Sequence, residues 1–337
     1  MANLQTTYMG IPLKNPIIAG ASELTAHLES IQQIEASGVG ALVMKSLFEE
    51  QIQLERFKQQ EHTARSPQRY AEMMRMYPKM VHAGPEEHVR WVKKVKETVQ
   101  IPVIASLNAV NQKTWLAYAK LLQETGIDGI ELNFYAVSRE MNHLGSAIEK
   151  QQIAIAKAIV NTLSIPVSVK LSPFYTNPVN VMSRFDQVGV KGLVLFNRMF
   201  QADIDVEEEK SIFPLNLSHE IETRLPLQFT GLLSGNLQGD ICSSTGISQA
   251  ADVIKMILAG AQCVQVVSVL YKKHSGHIQT MLEGISTWME KKGCRSLNDF
   301  RGKLSKKNCQ DPCVYTRAQY VRLLFESDEL IMAAPLG

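Results

Sequence analysis

The feature that most constrains this 337-residue chain is a recurring alternation. A short aliphatic or β-branched run of strand length is followed by a longer amphipathic stretch, and then by another short run. The runs are Pro16–Gly20, Ala41–Ser46, Pro102–Leu107, Gly129–Phe134, Pro166–Ser172, Gly192–Asn197, Asp240–Ser244 and Cys263–Ser268. Continuous apolar runs of this length mark strands buried on both faces. Between them, Lys113–Thr125, Ser146–Leu163, Gln249–Ala259 and Gly276–Lys292 place apolar residues three and four apart, the period of a helix. Gly38, Gly126, Gly260 and Gly293 stand just past helical stretches, where a residue free to adopt a left-handed backbone ends the helix.

Eight buried strands alternating with helices predict an α/β fold, a (β/α)8 or TIM barrel. The rival is an open doubly wound sheet, which usually carries Gly-x-Gly-x-x-Gly after its first strand. No such turn occurs here. Thr6–Tyr8 and Ile11–Leu13 flank Met9-Gly10 and predict an N-terminal hairpin that closes the barrel bottom. Long insertions follow strand 2 (Leu47–Trp91) and strand 6 (Arg198–Gln228), on the face that carries the chemistry in barrels. The expected organisation is a barrel over residues 1–305 and a C-terminal helical extension over 306–337. The helix Thr316–Phe325 of that extension is expected to pack on the barrel or on a partner subunit.

Composition excludes several functions. Lys plus Arg is 35 and Asp plus Glu is 33, a net charge of +2, without the strongly basic face of a nucleic-acid binder. With 45% apolar and 20% charged residues the chain reads as soluble and globular, not disordered. No apolar run reaches the roughly 18 to 20 residues of a membrane span, because Lys255, Gln262 and Gln265 interrupt the best candidate. The opening residues lack a secretory pattern, and five scattered cysteines suit a reducing compartment, so a cytoplasmic location is expected. Neither the Cys309/Cys313 pair with Cys294 nor the eight histidines have metal-ligand spacing, and no metal site is expected.

Catalytic groups of a barrel come from the C-terminal strand ends. Here these ends are polar: Lys45-Ser46, Ser106-Leu-Asn108, Asn133, Lys170-Leu-Ser172 and Asn197-Arg198. Two lysines and three amides make a donor-rich, positive pocket suited to a planar, anionic or electron-accepting ring. Ser243-Ser-Thr-Gly246 precedes a helix, where free N–H groups and the helix dipole favour a phosphate. It also reads as an ordinary helix cap.

These pieces resemble the FMN-dependent dihydroorotate dehydrogenase family. The resemblance lies in Asn15-Pro-Ile-Ile-Ala-Gly-Ala-Ser22, Val43-Met-Lys-Ser46, Glu131-Leu-Asn133 and Val169-Lys-Leu-Ser-Pro173. Ser244-Thr-Gly-Ile247, Leu258-Ala-Gly-Ala261 with Val264-Gln265, and Ser296–Lys303 complete it. These fragments keep the family's order across most of residues 1–305. The resemblance implies FMN held by Ala21, Lys45, Ser46, Asn108, Asn133, Lys170, Asn197, Ser244, Thr245, Gly246 and Ser268. Lys170 would face the electron-accepting edge of the ring, and Thr245, Gly246 and Ser268 the phosphate.

Departures fall on the substrate side. The family's Cys or Ser base corresponds to Ala136, and a substrate-binding Asn corresponds to Ser138. The Asn-Ser after strand 6 is Asn197-Arg198, and an Asn-rich segment is replaced by Arg-rich Ser66–Arg75. Lys170, Tyr135 and Ser138 are the catalytic candidates, the last two as proton donor or relay, although Tyr135 also reads as a packing residue. Asn133, Asn197 and Arg198 are the substrate-binding candidates. Arg198 suits a substrate carboxylate, or equally an ion pair with the acidic run Asp203–Glu209.

The expected function is hydride transfer between FMN and a dihydropyrimidine-like small molecule, dihydroorotate or a relative, with an electron acceptor the sequence does not name. One alternative is a flavin-binding electron-transfer subunit, or a paralogue acting on another substrate. Another is a flavin-free aldolase or synthase using Lys45 or Lys170 as a Schiff base. A homodimer is the expected assembly.

Overall fold

The structure, a computed structural model, describes residues 2–53, 84–108, 110–135 and 140–325. The chain opens with an antiparallel hairpin, β1 (Thr6–Tyr8) and β2 (Ile11–Leu13). Its turn holds Met9 at φ 57° and Gly10 at φ 81°, the pair of positive values that a tight hairpin needs. The units that follow are β3 (Ile17–Ala19), α1 (Leu28–Ala36), β4 (Ala41–Val43), β5 (Leu47–Phe48), α2 (Pro85–Thr98) and β6 (Val103–Asn108). Then come α3 (Gln112–Gln123), β7 (Gly129–Asn133), α4 (Gly145–Val160), β8 (Val167–Leu171), α5 (Pro178–Gln187) and β9 (Gly192–Leu195). A second hairpin, β10 (Asp203–Asp205) with β11 (Lys210–Ile212), lies in the insertion before α6 (Arg224–Leu233). The remainder is β12 (Asp240–Ser244), α7 (Ala250–Ala259), β13 (Cys263–Val266), α8 (Ser268–Lys273), α9 (His277–Lys292) and α10 (Ala318–Phe325).

Strands β3, β4, β6, β7, β8, β9, β12 and β13 pair in parallel and in chain order, and β13 pairs with β3 to close the ring. This is the predicted (β/α)8 barrel. Alternate residues of each strand face opposite ways. One set, with Ile18, Val43, Ile104, Val194, Cys242 and Cys263, clusters with Tyr8, Met9 and Leu13 of the hairpin, which therefore plugs the barrel floor. The other set, with Ile17, Leu42, Val103 and Val169, packs outward on the helices. Gly192 makes room for the plug: a Cβ there would lie 2.6 Å from the Tyr8 hydroxyl. The Asp240 carboxylate accepts from the Met9 amide at 2.7 Å and pins the turn. Gly38, Gly126, Gly260 and Gly293 all have positive φ, as expected of residues that end helices.

Three strand ends fall two or more residues from the sequence reading. The second strand, expected over Ala41–Ser46, keeps its ladder to Val43 opposite Ile104 and resumes at Leu47 opposite Leu107. Three residues, Met44 to Ser46, thus stand opposite two, Ala105 and Ser106, which is a bulge. It lifts Lys45 and Ser46 out of the regular pleat. The sixth strand, expected to reach Asn197, ends at Leu195. The eighth, expected to reach Ser268, ends at Val266, and Ser268 opens α8 instead.

The long insertion after strand 2 lies mostly outside the described residues. In the C-terminal extension, Lys306 N–H donates to the Gly231 carbonyl at 2.9 Å, and the Tyr315 ring packs on Gly231 of α6. Helix α10, expected to pack on the barrel or a partner subunit, buries none of its residues within this chain.

Candidate active site

A cavity of about 450 Å³ opens at the C-terminal ends of the barrel strands. Its wall holds Ala21 after β3, Lys45 and Ser46 of the bulge, Asn133 at the end of β7, Tyr135 just beyond it, and Lys170 near the end of β8. Asn197 and Arg198 after β9, Ser244, Thr245 and Gly246 at the end of β12, and Ser268 complete the sequence-derived set. Two expected residues are not in it. Asn108 is buried at the end of β6, pairs with Phe48 and does not line the cavity. Ser138 lies outside the described residues, as does Ala136.

The deepest polar group is a chain of three buried side chains. The Lys170 ammonium donates to Gln265 Oε1 at 3.1 Å, and Gln265 Nε2 donates to Glu131 Oε2 at 2.5 Å. Lys170 and Glu131 lie 4.0 Å apart, with Glu131 and Gln265 each 1% exposed. A buried charge is costly without partners, so the three define one another's positions. Glu131 Oε1 is buried without a hydrogen-bond partner.

Around the rim, Asn197 Nδ2 donates to Asn133 Oδ1 at 2.7 Å, and the Ser46 and Ser106 hydroxyls meet at 2.7 Å. Lys45 Nζ donates to Glu23 Oε2 at 2.5 Å. Burial of His88 and the nearby Lys45 charge push the imidazole down to about 4, so it is neutral at ordinary pH. The Tyr135 hydroxyl accepts from the Phe200 amide at 3.2 Å, and its own proton faces no demand from that bond.

The far end suits an anion. Thr245 has φ 83° and Gly246 φ 77°, a left-handed turn that glycine adopts without strain. A Cβ on Gly246 would lie 2.6 Å from the His219 carbonyl and 2.8 Å from the Thr223 amide. Gly246 N–H donates to Ser218 Oγ at 3.1 Å, and Ser218 Oγ donates to Ser268 Oγ at 2.8 Å. An adjoining space of about 330 Å³ is bordered by Lys272 and Lys273.

Arg198 is held from outside the acidic run. Its Nε donates to Glu222 Oε1 at 2.8 Å, and its Nη1 donates to the Asn216 carbonyl. The run Asp203–Glu209 instead builds the β10–β11 hairpin, where Asp205 accepts from the Glu207 and Glu208 amides.

Sequence reasoning did not single out Gln265, Glu131, Glu23, Glu222 or Ser218 as site residues. For the first two a signal existed. An amide and a carboxylate inside otherwise aliphatic strands need buried partners. The others belong to loops whose position only the fold reveals.

The sequence matches the model of the dihydroorotate dehydrogenase family over residues 3–289. The chain belongs to the dihydroorotate dehydrogenase family. It is 27% identical to a putative dihydroorotate dehydrogenase A (fumarate) of Aeropyrum pernix, over 66% of this chain and 74% of that protein. It is 22% identical to dihydroorotate dehydrogenase A (fumarate) of Lactobacillus delbrueckii subsp. bulgaricus, over 90% of this chain and 99% of that protein. It is 23% identical to the catalytic subunit of dihydroorotate dehydrogenase B (NAD(+)) of Caldicellulosiruptor bescii, over 90% and 99% respectively. Dihydroorotate dehydrogenases act on a CH–CH bond, and membership makes this chain an oxidoreductase and a flavoprotein of that class. Among the described residues no helix is long and apolar enough to cross a membrane.

Proposed function

We propose that this dihydroorotate dehydrogenase family member uses FMN to move a hydride to or from a small dihydropyrimidine-like substrate. The observation that carries the reading is the Lys170–Gln265–Glu131 chain set beneath a cavity that ends in the Thr245–Gly246 loop. The cavity falls within the roughly 300–1,000 Å³ of small-molecule and cofactor sites. Its donor set fits FMN: lysines and asparagines for the ring, and hydroxyls and backbone amides for the phosphate. Gly20 adds a close approach, since a Cβ there would lie 2.8 Å from Val267 Cγ2 and 3.3 Å from Gln265 Oε1.

In this reading Ala21, Lys45, Ser46, Asn133, Lys170 and Asn197 hold the ring, and Ser244, Thr245, Gly246 and Ser268 hold the phosphate. When bound, FMN supplies the two-electron acceptor. The protein's part is electrostatic and positional. Lys170, locked by Gln265, offers a fixed positive charge where negative charge develops. The Asn133–Asn197 pair offers one donor and one acceptor to a lactam edge. Tyr135 can hold or give a proton through its hydroxyl. The substrate is a small molecule, the acceptor a second substrate or protein, and the assembly a homodimer. All five cysteines are free, in keeping with a reducing cytoplasm.

Ala136 favours a second reading, a flavin-binding electron-transfer subunit or a paralogue with another substrate, because alanine cannot accept a proton. One experiment separates the readings. The purified protein is expected to be yellow and to release flavin on denaturation. Anaerobic dihydroorotate or dihydrouracil is then expected to bleach it. A colourless protein sinks both readings, and a yellow one that neither compound bleaches favours the second.

A further inference from the structure

Three cationic side chains line the cavity among the described residues: Lys45, Lys170 and Arg198. Each has a carboxylate of its own. Lys45 meets Glu23 at 2.5 Å, Lys170 meets Glu131 at 4.0 Å through Gln265, and Arg198 meets Glu222 at 2.8 Å. Glu23 is the sole carboxylate on the cavity wall among the described residues, and it sits directly on the bulge lysine. Glu222 is anchored as well, because its second oxygen accepts from the His219 amide at 2.6 Å. Burial raises its affinity for a proton, but the Arg198 and His219 hydrogen bonds outweigh this and hold it below the usual carboxylate range. It therefore stays charged and stays on the arginine. Lys272 and Lys273 border the adjoining space at the phosphate end, not the cavity wall.

We infer that Glu23 and Glu222 neutralise the cations nearest the substrate, so that this site selects an uncharged substrate and rejects one that carries a carboxylate. The inference rests on the flavoenzyme reading and narrows its substrate class. Lys170 serves the ring from below; among the described residues Lys45, at the ring's edge, and Arg198 are the cations a substrate could also reach. A substrate carboxylate entering there finds each cation already matched and meets the carboxylates of Glu23 and Glu222 beside it. Discrimination arises as much from such repulsion as from attraction to the preferred ligand. An uncharged ring with carbonyl and N–H edges loses nothing, since the Asn133–Asn197 pair offers one donor and one acceptor. That complement does not depend on which amide donates, because turning both amides exchanges the roles and keeps the pair.

The test is calorimetric titration of the purified protein with uracil and with orotate, which differ by one carboxylate. Uracil is expected to bind at least about tenfold more tightly than orotate. Glu222→Gln and Glu23→Gln keep shape and remove charge, and each frees one cation. Each is expected to raise orotate affinity at least about tenfold and to leave uracil affinity within about twofold. Orotate binding as tight as uracil in the unaltered protein overturns the inference. So does the absence of any gain in orotate affinity in both variants. Lack of flavin in the purified protein overturns the flavoenzyme reading and the inference with it, whereas tight orotate binding by the flavin-loaded protein overturns the inference alone.

Discussion

The Lys170 ammonium stands 4.0 Å from the Glu131 carboxylate, and the amide of Gln265 spans the gap. Neither ion is positioned by the other alone. Gln265→Leu removes both hydrogen bonds at nearly constant volume and leaves two buried charges without their bridge. The expected loss is about 2–3 kcal/mol of stability, read from denaturant unfolding. Lys170→Ala removes the charge itself. FMN reduction by a competent substrate is expected to slow by about 10²–10³-fold in a stopped-flow trace. An unchanged rate would show that Lys170 has no electrostatic role in the reaction.

Gly246 and Gly126 both have positive φ, at 77° and 83°, but only Gly246 is crowded. A methyl at Gly246 meets the His219 carbonyl and the Thr223 amide, whereas a methyl at Gly126 meets nothing within 4 Å. Gly246→Ala is expected to yield protein with most of its flavin missing, measured as the ratio of flavin to protein absorbance. Gly126→Ala should cost about 1 kcal/mol of backbone strain and retain full flavin content.

His88 gives a pH dependence with a definite sign. Its folded value of about 4 lies below the ordinary 6.5, because burial and the Lys45 charge disfavour the imidazolium. Between these values the unfolded chain binds a proton that the folded chain refuses. The stabilisation is therefore complete above about pH 6.5 and is lost as pH falls toward 4. His88→Gln abolishes this contribution. Urea midpoints at pH 7 and pH 4.5 should fall further for the unaltered protein than for the variant.

Ala136 makes a statement about rate. A positioned general base contributes about 10²–10⁴-fold. Dihydroorotate oxidation by the unaltered protein is expected to be slow by that factor relative to Ala136→Cys, measured as flavin bleaching under anaerobic conditions. Equal rates would mean that proton removal uses another group, with Tyr135→Phe as the next variant to assay.

Local pattern made the barrel legible. Buried parallel strands read as apolar runs, and Gly38, Gly126, Gly260 and Gly293 mark turns that need positive φ whatever surrounds them. Strand-end lysines and amides led to the cavity for the same reason: a strand's end is visible in one segment. The bulge at Lys45 was not legible, because it exists only as a mismatch between β4–β5 and β6. Glu131 and Gln265 are 134 residues apart, and Arg198 finds Glu222 across an insertion with no periodic signal. Asn108 was placed at the site by its strand end and by the family resemblance, and it is Phe48, paired with it, that lines the wall there. Pairings between distant segments decide charge balance, and no single segment records them.

The β1–β2 hairpin fills the barrel floor, yet its partners are made last. Met9 is bonded to Asp240 and Thr6 to Gln262, at separations of 231 and 256 residues. At roughly 5–20 residues per second on the ribosome, the hairpin waits about 12 to 50 seconds before those strands emerge. Throughout that interval Tyr8, Met9 and Leu13 have no ring to enter. Nascent chains stalled before β12 should therefore be engaged by chaperones at their leading end, and release should coincide with barrel closure.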